Sequence, residues 1–94
     1  MKMKILEDTQ DFLLVEVDGE DQSIINILTE TLNKIDGVLY AGYRIEHPLT
    51  NTITVSIKVN PSKTTPRGAL VEAFKELRNL VKQLEEDVKR LGVS

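Results

Sequence analysis

The apolar residues change their spacing several times along the chain, and each change marks an element. Residues 2–8 and 11–18 predict two strands. In the second, Leu13, Val15 and Val17 alternate with Leu14, Glu16 and Asp18, and the short polar break Thr9-Gln10 suits a hairpin. Residues 22–35 predict a helix, because Ile24, Leu28, Leu32 and Ile35 recur at helical spacing with Ile25 beside them. Asp21 is placed to cap it, since its carboxylate can accept from the free N–H groups of the first turn. Asp36-Gly37 closes it, glycine being at ease in the left-handed conformation that ends helices. Residues 38–46 and 52–59 predict two further strands. In the last, Ile53, Val55, Ile57 and Val59 fall on one face and Thr52, Thr54, Ser56 and Lys58 on the other. That strict period of two calls for one buried face and one wet face. A helix over 66–91 follows, with Thr65 as cap, Pro66 at the first helical position and Gly92 just past the end. The order ββαββα predicts an α+β fold: a four-stranded antiparallel sheet with two helices on one face, in one domain spanning residues 1–94.

The final helix carries a second pattern. Leu70, Leu77, Leu84 and Leu91 are spaced by seven, and Phe74, Val81 and Val88 each lie four residues after a leucine. The resulting 4-3-4-3-4-3 seam belongs to a helix that packs lengthwise along another helix. At about 1.5 Å per residue such a helix reaches roughly 39 Å. A compact chain of this size has a radius of gyration near about 12 Å and is only about 30 Å across. The far end, with Val81, Leu84, Val88 and Leu91, is therefore expected to outrun its own domain and place the helix at a dimer interface. Two other readings share the pattern: a helix folded wholly over its own sheet, and a self-paired homodimer. Arg78, Glu85 and Asp87 flank the seam without choosing between a foreign partner and a second copy. Glu85–Lys89 and Glu86–Arg90 are i,i+4 pairs that support the helix itself.

Charge and composition narrow the function. A net charge of −3 with no dense basic run argues against docking on nucleic acid, which relies on Lys and Arg at phosphates. The chain has no cysteine, which excludes disulfides, thiolate metal sites and cysteine nucleophiles. No apolar run approaches the roughly 20 residues that cross a membrane, and the first residues lack the apolar core of a secretory signal. A soluble, cytoplasmic setting is the expectation.

His47, the sole histidine, has neither a nucleophile nor a ligand set around it in sequence, so it reads as part of a His-Pro turn. Tyr43-Arg44 fits an interface pair equally with a half-buried tyrosine beside a solvated arginine. Asp18, Glu20 and Asp21 lack the ligand set of a calcium loop and suit the positive end of a helix. The loop over residues 61–65 holds no glycine-rich phosphate cradle. No catalytic residue, metal or cofactor is expected.

Three segments carry a family resemblance. Gly19-Glu20-Asp21-Gln22-Ser23-Ile24-Ile25-Asn26-Ile27-Leu28 matches a Glu-Asp-His-Thr-Leu-Gly-Asn-Leu-Leu pattern at Asp21 and Asn26, with Gln22 and Ile25 in place of its His and Gly. Tyr40-Ala41-Gly42-Tyr43-Arg44-Ile45-Glu46-His47-Pro48-Leu49 matches Ala-x-Tyr-x-x-x-His-Pro-Leu through Tyr43, His47, Pro48 and Leu49. Pro66-Arg67-Gly68-Ala69-Leu70 matches a Pro-x-x-Ala-Leu helix opening through Pro66, Ala69 and Leu70. In order, and over nearly the whole chain, these segments resemble the small alpha-like subunits of archaeal and eukaryotic RNA polymerases. The bare length looks more archaeal than eukaryotic.

The resemblance implies a heterodimer with a larger alpha-like subunit. That pair would be a platform for small zinc-binding subunits and for the two large subunits that hold the magnesium and the nucleotidyl-transfer chemistry. On this reading the chain is a non-catalytic assembly subunit that touches neither nucleic acid nor membrane. Its partner surface would use Ile24, Leu28, Leu32, Phe74, Leu77, Val81, Leu84 and Val88. The rivals are a freestanding homodimeric α+β regulatory or ligand-binding domain, and a small enzyme, for which no catalytic motif is present.

Overall fold

The computed structural model describes residues 2–47 and 49–92, with the backbone but not the side chain of His47. The elements are β1 (Lys2–Asp8), β2 (Phe12–Asp18), α1 (Gln22–Leu32), β3 (Val38–His47), β4 (Thr52–Val59) and α2 (Pro66–Arg90). The sheet runs β1-β2-β4-β3 with every neighbouring pair antiparallel. The α1 crossover carries the chain from β2 to the far edge, and β4 returns between β2 and β3. Antiparallel pairing lets one sheet face stay wet, as the alternation in β4 requires.

Register builds the core. Val15 and Tyr43 both oppose Val55, and Leu13 and Ala41 both oppose Ile57. Residues directly opposite share a face, so the apolar rows of β2, β3 and β4 merge into one surface under the helices. Ile25, Leu28 and Leu32 of α1 and Ala69 and Ala73 of α2 close over it. On the wet face, Tyr40 lies across Gly42: a Cβ there would come within 2.7 Å of the Tyr40 ring carbon Cζ. Glycine leaves room for that ring, which shields the bare stretch of backbone.

The helix expected over 22–35 ends earlier, at Leu32. The cause is Asn33. Its side-chain amide donates to the carbonyls of Thr29 (3.0 Å) and Ala41 (2.9 Å) and accepts from the Ala41 N–H at 3.0 Å. One side chain thus satisfies a helix-end carbonyl and ties it to β3, a local alternative to continuing the helix. Ile35 still packs on the core from the turn that follows. Gly37 has φ +94°, and a Cβ there would press within 2.8 Å of Thr64 Cγ2.

Both helix starts are capped as expected. Thr65 Oγ1 accepts from the Gly68 N–H at 3.0 Å. Asp21 accepts from the Ser23 hydroxyl (2.7 Å) and the Ser23 N–H (2.8 Å). These bonds, the hydroxyl first and the backbone N–H second, favour the carboxylate and hold the Asp21 pKa below its ordinary value of 3.8. A depressed folded-state pKa makes the cap stabilising above the unfolded value, and that contribution is lost as acid drives pH down through the folded value. Asp21→Ala is therefore expected to lower the thermal midpoint at neutral pH. The gap from the parent should close progressively below pH 3.8, which a series of melts would check.

Candidate partner-binding surface

The outline already shows helix beyond the body. The molecule measures 47 × 38 × 16 Å with a radius of gyration of 15.1 Å. That exceeds the roughly 12 Å of a compact chain of equal length. A 16 Å thickness is one sheet and one helix layer, so among the described residues no further layer covers the outside of α1 and α2.

The seam residues Leu70 and Leu77 pack against the core only in part, and the fully buried contacts of α2 come from elsewhere. Pro66, Ala69 and Ala73 are its buried residues. Their small side chains let the helix axis sit close to the strands, and they lie on the flank of the seam. Leu70 and Leu77 are consequently only half-buried, and Phe74 is 42% exposed. Leu77 and Leu80 share a groove with Thr31 and Lys34 at the end of α1. Past Leu80 no residue of α2 is buried: Val81 is 62% exposed and Leu84 56%, with Val88 and Leu91 also exposed. The flank ion pairs are surface pairs. Lys89 lies 3.8 Å from Glu85 as expected, whereas Arg90 meets Asp87 (3.6 Å) in place of the expected Glu86. An i,i+3 reach serves Arg90 as well as i,i+4, and exposed pairs of this kind add little stability.

On α1 the expected partner residues separate. Ile24 is exposed on the outer side, but Leu28 and Leu32 are buried in the chain's own core, against the expectation that they face a partner. The inward stripe is Ile25, Leu28, Thr29 and Leu32, rotated from the expected Ile24-Leu28-Leu32 row. Ile27 takes the outer place beside Ile24, each 48% exposed. The sequence signal was available: apolar residues at 24, 25, 27, 28 and 32 span an arc too wide for one buried face. Strand β1 adds Met3 and Ile5, whose partners Val17 and Val15 place them on the core-side face, yet both stay exposed because the helices stop short of this edge. Met3 reaches a small apolar notch with Ile25, Leu28, Leu70 and Phe74. The open surface is therefore continuous from β1 along α2.

Of the remaining motif positions, Tyr43 and Asn26 make contacts within the chain. Tyr43 is packed against the core, and its hydroxyl meets the Gln22 amide at 3.3 Å. Asn26 lies 3.4 Å from Glu30 on the exposed side of α1. Leu49 is fully exposed in the β3–β4 turn. Pro48 and the side chain of His47 lie outside the described residues. Among the described residues no group of three His, Asp or Glu side chains gathers as a metal site, and no helix is long and apolar enough to cross a membrane.

A thin α+β layer with an uncovered heptad ridge on a projecting helix defines a class, that of domains built to dimerise. Comparison with known proteins makes it particular. The chain belongs to the RNA polymerase Rpb3/Rpb11 dimerisation domain family, whose model matches residues 13–87. It is similar to DNA-directed RNA polymerase subunit Rpo11 of Saccharolobus islandicus, 36% identical over 92 residues, 98% of this chain and 99% of that protein. It is 34% identical over 87 residues to the Rpo11 of Thermococcus kodakarensis, covering 92% of this chain and 93% of that one. The crystal structure of DNA-directed RNA polymerase subunit L from Thermoplasma acidophilum shares the fold, with a TM-score of 0.75, 22% identity, and coverage of 95% of this chain and 90% of the other.

Proposed function

We propose that this chain is a non-catalytic assembly subunit of DNA-directed RNA polymerase that pairs with the larger alpha-like subunit. The pairing surface is Ile24 and Ile27 of α1, Met3 and Ile5 of β1, and the α2 ridge from Phe74 through Leu77, Val81, Leu84 and Val88. Leu28 and Leu32 hold α1 in position beneath it. One observation carries this reading: among the described residues nothing buries the ridge beyond Leu80. Each such side chain forgoes about 1.5–3 kcal/mol while it stays in water, so a partner helix laid along it has a large apolar surface to remove.

Family membership supports the choice of partner, since the matching domain is described by its dimerisation. The full chain, tagged and co-expressed with the larger alpha-like subunit of the same organism, is expected to co-purify with it at equal stoichiometry. Recovery of this chain without that subunit, from cells making both in soluble form, would refute the pairing.

A further inference from the structure

Sequence spacing alone leaves the flank charges of the α2 ridge neutral between a foreign partner and a second copy, but in an antiparallel register two copies of this chain become complementary. Along one flank of the seam lie Arg78 and Glu85, seven residues apart and opposite in sign. Arg78 makes no ion pair among the described residues, and Glu85 has only a loose contact with Lys89 at 3.8 Å. When two identical helices pack antiparallel, like flanks come together, and a two-fold axis makes every contact occur twice. Place that axis midway between Val81 and Leu84. Val81 then packs on the second copy's Leu84, Leu77 on its Val88 and Phe74 on its Leu91. In the same register Arg78 faces Glu85 of the second copy, and Glu85 faces its Arg78. The other flank sets Leu80 against Asp87, with no clash of like charge.

Parallel packing wastes the pattern. It would set opposite flanks together, so that Arg78 meets Ala73 and Glu85 meets Leu80, and it would press two sheets into one space. The antiparallel register keeps the sheets at opposite ends, because no residue of α2 past Leu80 is needed by its own body. It also brings Leu91 to the level of Phe74 and the apolar notch lined by Met3, Ile25, Leu28 and Leu70.

We infer that α2 pairs antiparallel with a second copy of this chain, through the Val81–Leu84 centre and two symmetric Arg78–Glu85 bridges, whenever the larger subunit is absent. The inference rests on the ridge being the heterodimer surface, and it makes the self-pair a reserve state that the larger subunit displaces.

The test uses the purified full chain alone. Sedimentation up to about 100 µM is expected to show a dimer, a concentration that populates pairs of micromolar Kd. Arg78→Glu and Glu85→Arg each place like charges in contact and should each weaken the dimer by about tenfold or more. The double variant R78E/E85R restores the bridges and should return Kd close to the parent. Because the chain has no cysteine, register can be read covalently. Leu77→Cys and Val88→Cys should oxidise to a cross-linked dimer when the two variants are mixed, and neither should do so alone.

A folded monomer at every concentration, no rescue in the double variant, or cross-linking within a single variant overturns the self-pair. Each of these results holds whether or not the larger subunit binds, so the heterodimer stands or falls separately, by co-purification.

Discussion

Val81→Glu is expected to weaken the proposed pairing with the larger alpha-like subunit by orders of magnitude while leaving the isolated chain folded. Val81 is mid-ridge and 62% exposed in the single chain, so the substitution empties no cavity and breaks no bond in its own body. Glutamate is also the better helix former, which favours α2 slightly. In the proposed heterodimer the same position would be desolvated along the seam. A carboxylate there loses the apolar contact of valine and sits unpaired in low dielectric, a combined cost of about 3–5 kcal/mol. At tenfold per roughly 1.4 kcal/mol, Kd should rise about a hundred- to a few-thousand-fold. Titration calorimetry or a competition pull-down reads the loss, and circular dichroism confirms retained helix. Leu84→Glu should behave alike. An unchanged Kd for both, in chains that melt normally, removes the ridge from the partner surface.

The elements were legible because their periods are clean. Ile53, Val55, Ile57 and Val59 announce a strand with one buried face, and all four are buried in the fold. The projecting end of α2 was legible for a different reason: a helix longer than its domain has to leave it. What the sequence concealed was the division of labour within each helix. In α2 the large side chains invite the eye, but the buried residues are Pro66, Ala69 and Ala73, while Leu70 and Leu77 pack against the core only in part. Close packing there selects for smallness, which leaves no hydrophobic signature. In α1 the apolar arc covers both an inward and an outward face. Periodicity alone does not say which of Ile24 and Ile25 faces in, because the rotation of the helix is set by the tertiary contact. The Asn33 clamp that ends α1 early was equally silent, since its partner Ala41 is reached only after the chain turns into β3.

That division gives the surface a sharper test than any single interface variant. Leu32 is 0% exposed and Leu84 is 56% exposed, although both were expected to meet the partner. Leu32→Ala removes side-chain atoms from a closed site beneath α1, where neighbours relax only in part. The expected loss is about 2–5 kcal/mol of monomer stability. A chain of this length commands only about 5–14 kcal/mol in total. Such a loss is a shift of roughly 8–40 °C in Tm, at 4–8 °C per kcal/mol for small domains. Leu84→Ala takes away the same atoms from helix that is water-exposed in the monomer, so urea unfolding of the isolated chain, at concentrations too low for self-pairing, should change by less than about 0.5 kcal/mol. Its effect belongs to the partner, as a weaker heterodimer with a faster off-rate. The two leucines, alike in sequence, should thus separate into one that lowers stability and one that lowers affinity. If Leu32→Ala leaves the urea midpoint where it was and weakens the heterodimer instead, α1 is turned the other way about its axis, and the inward stripe assigned to it is wrong.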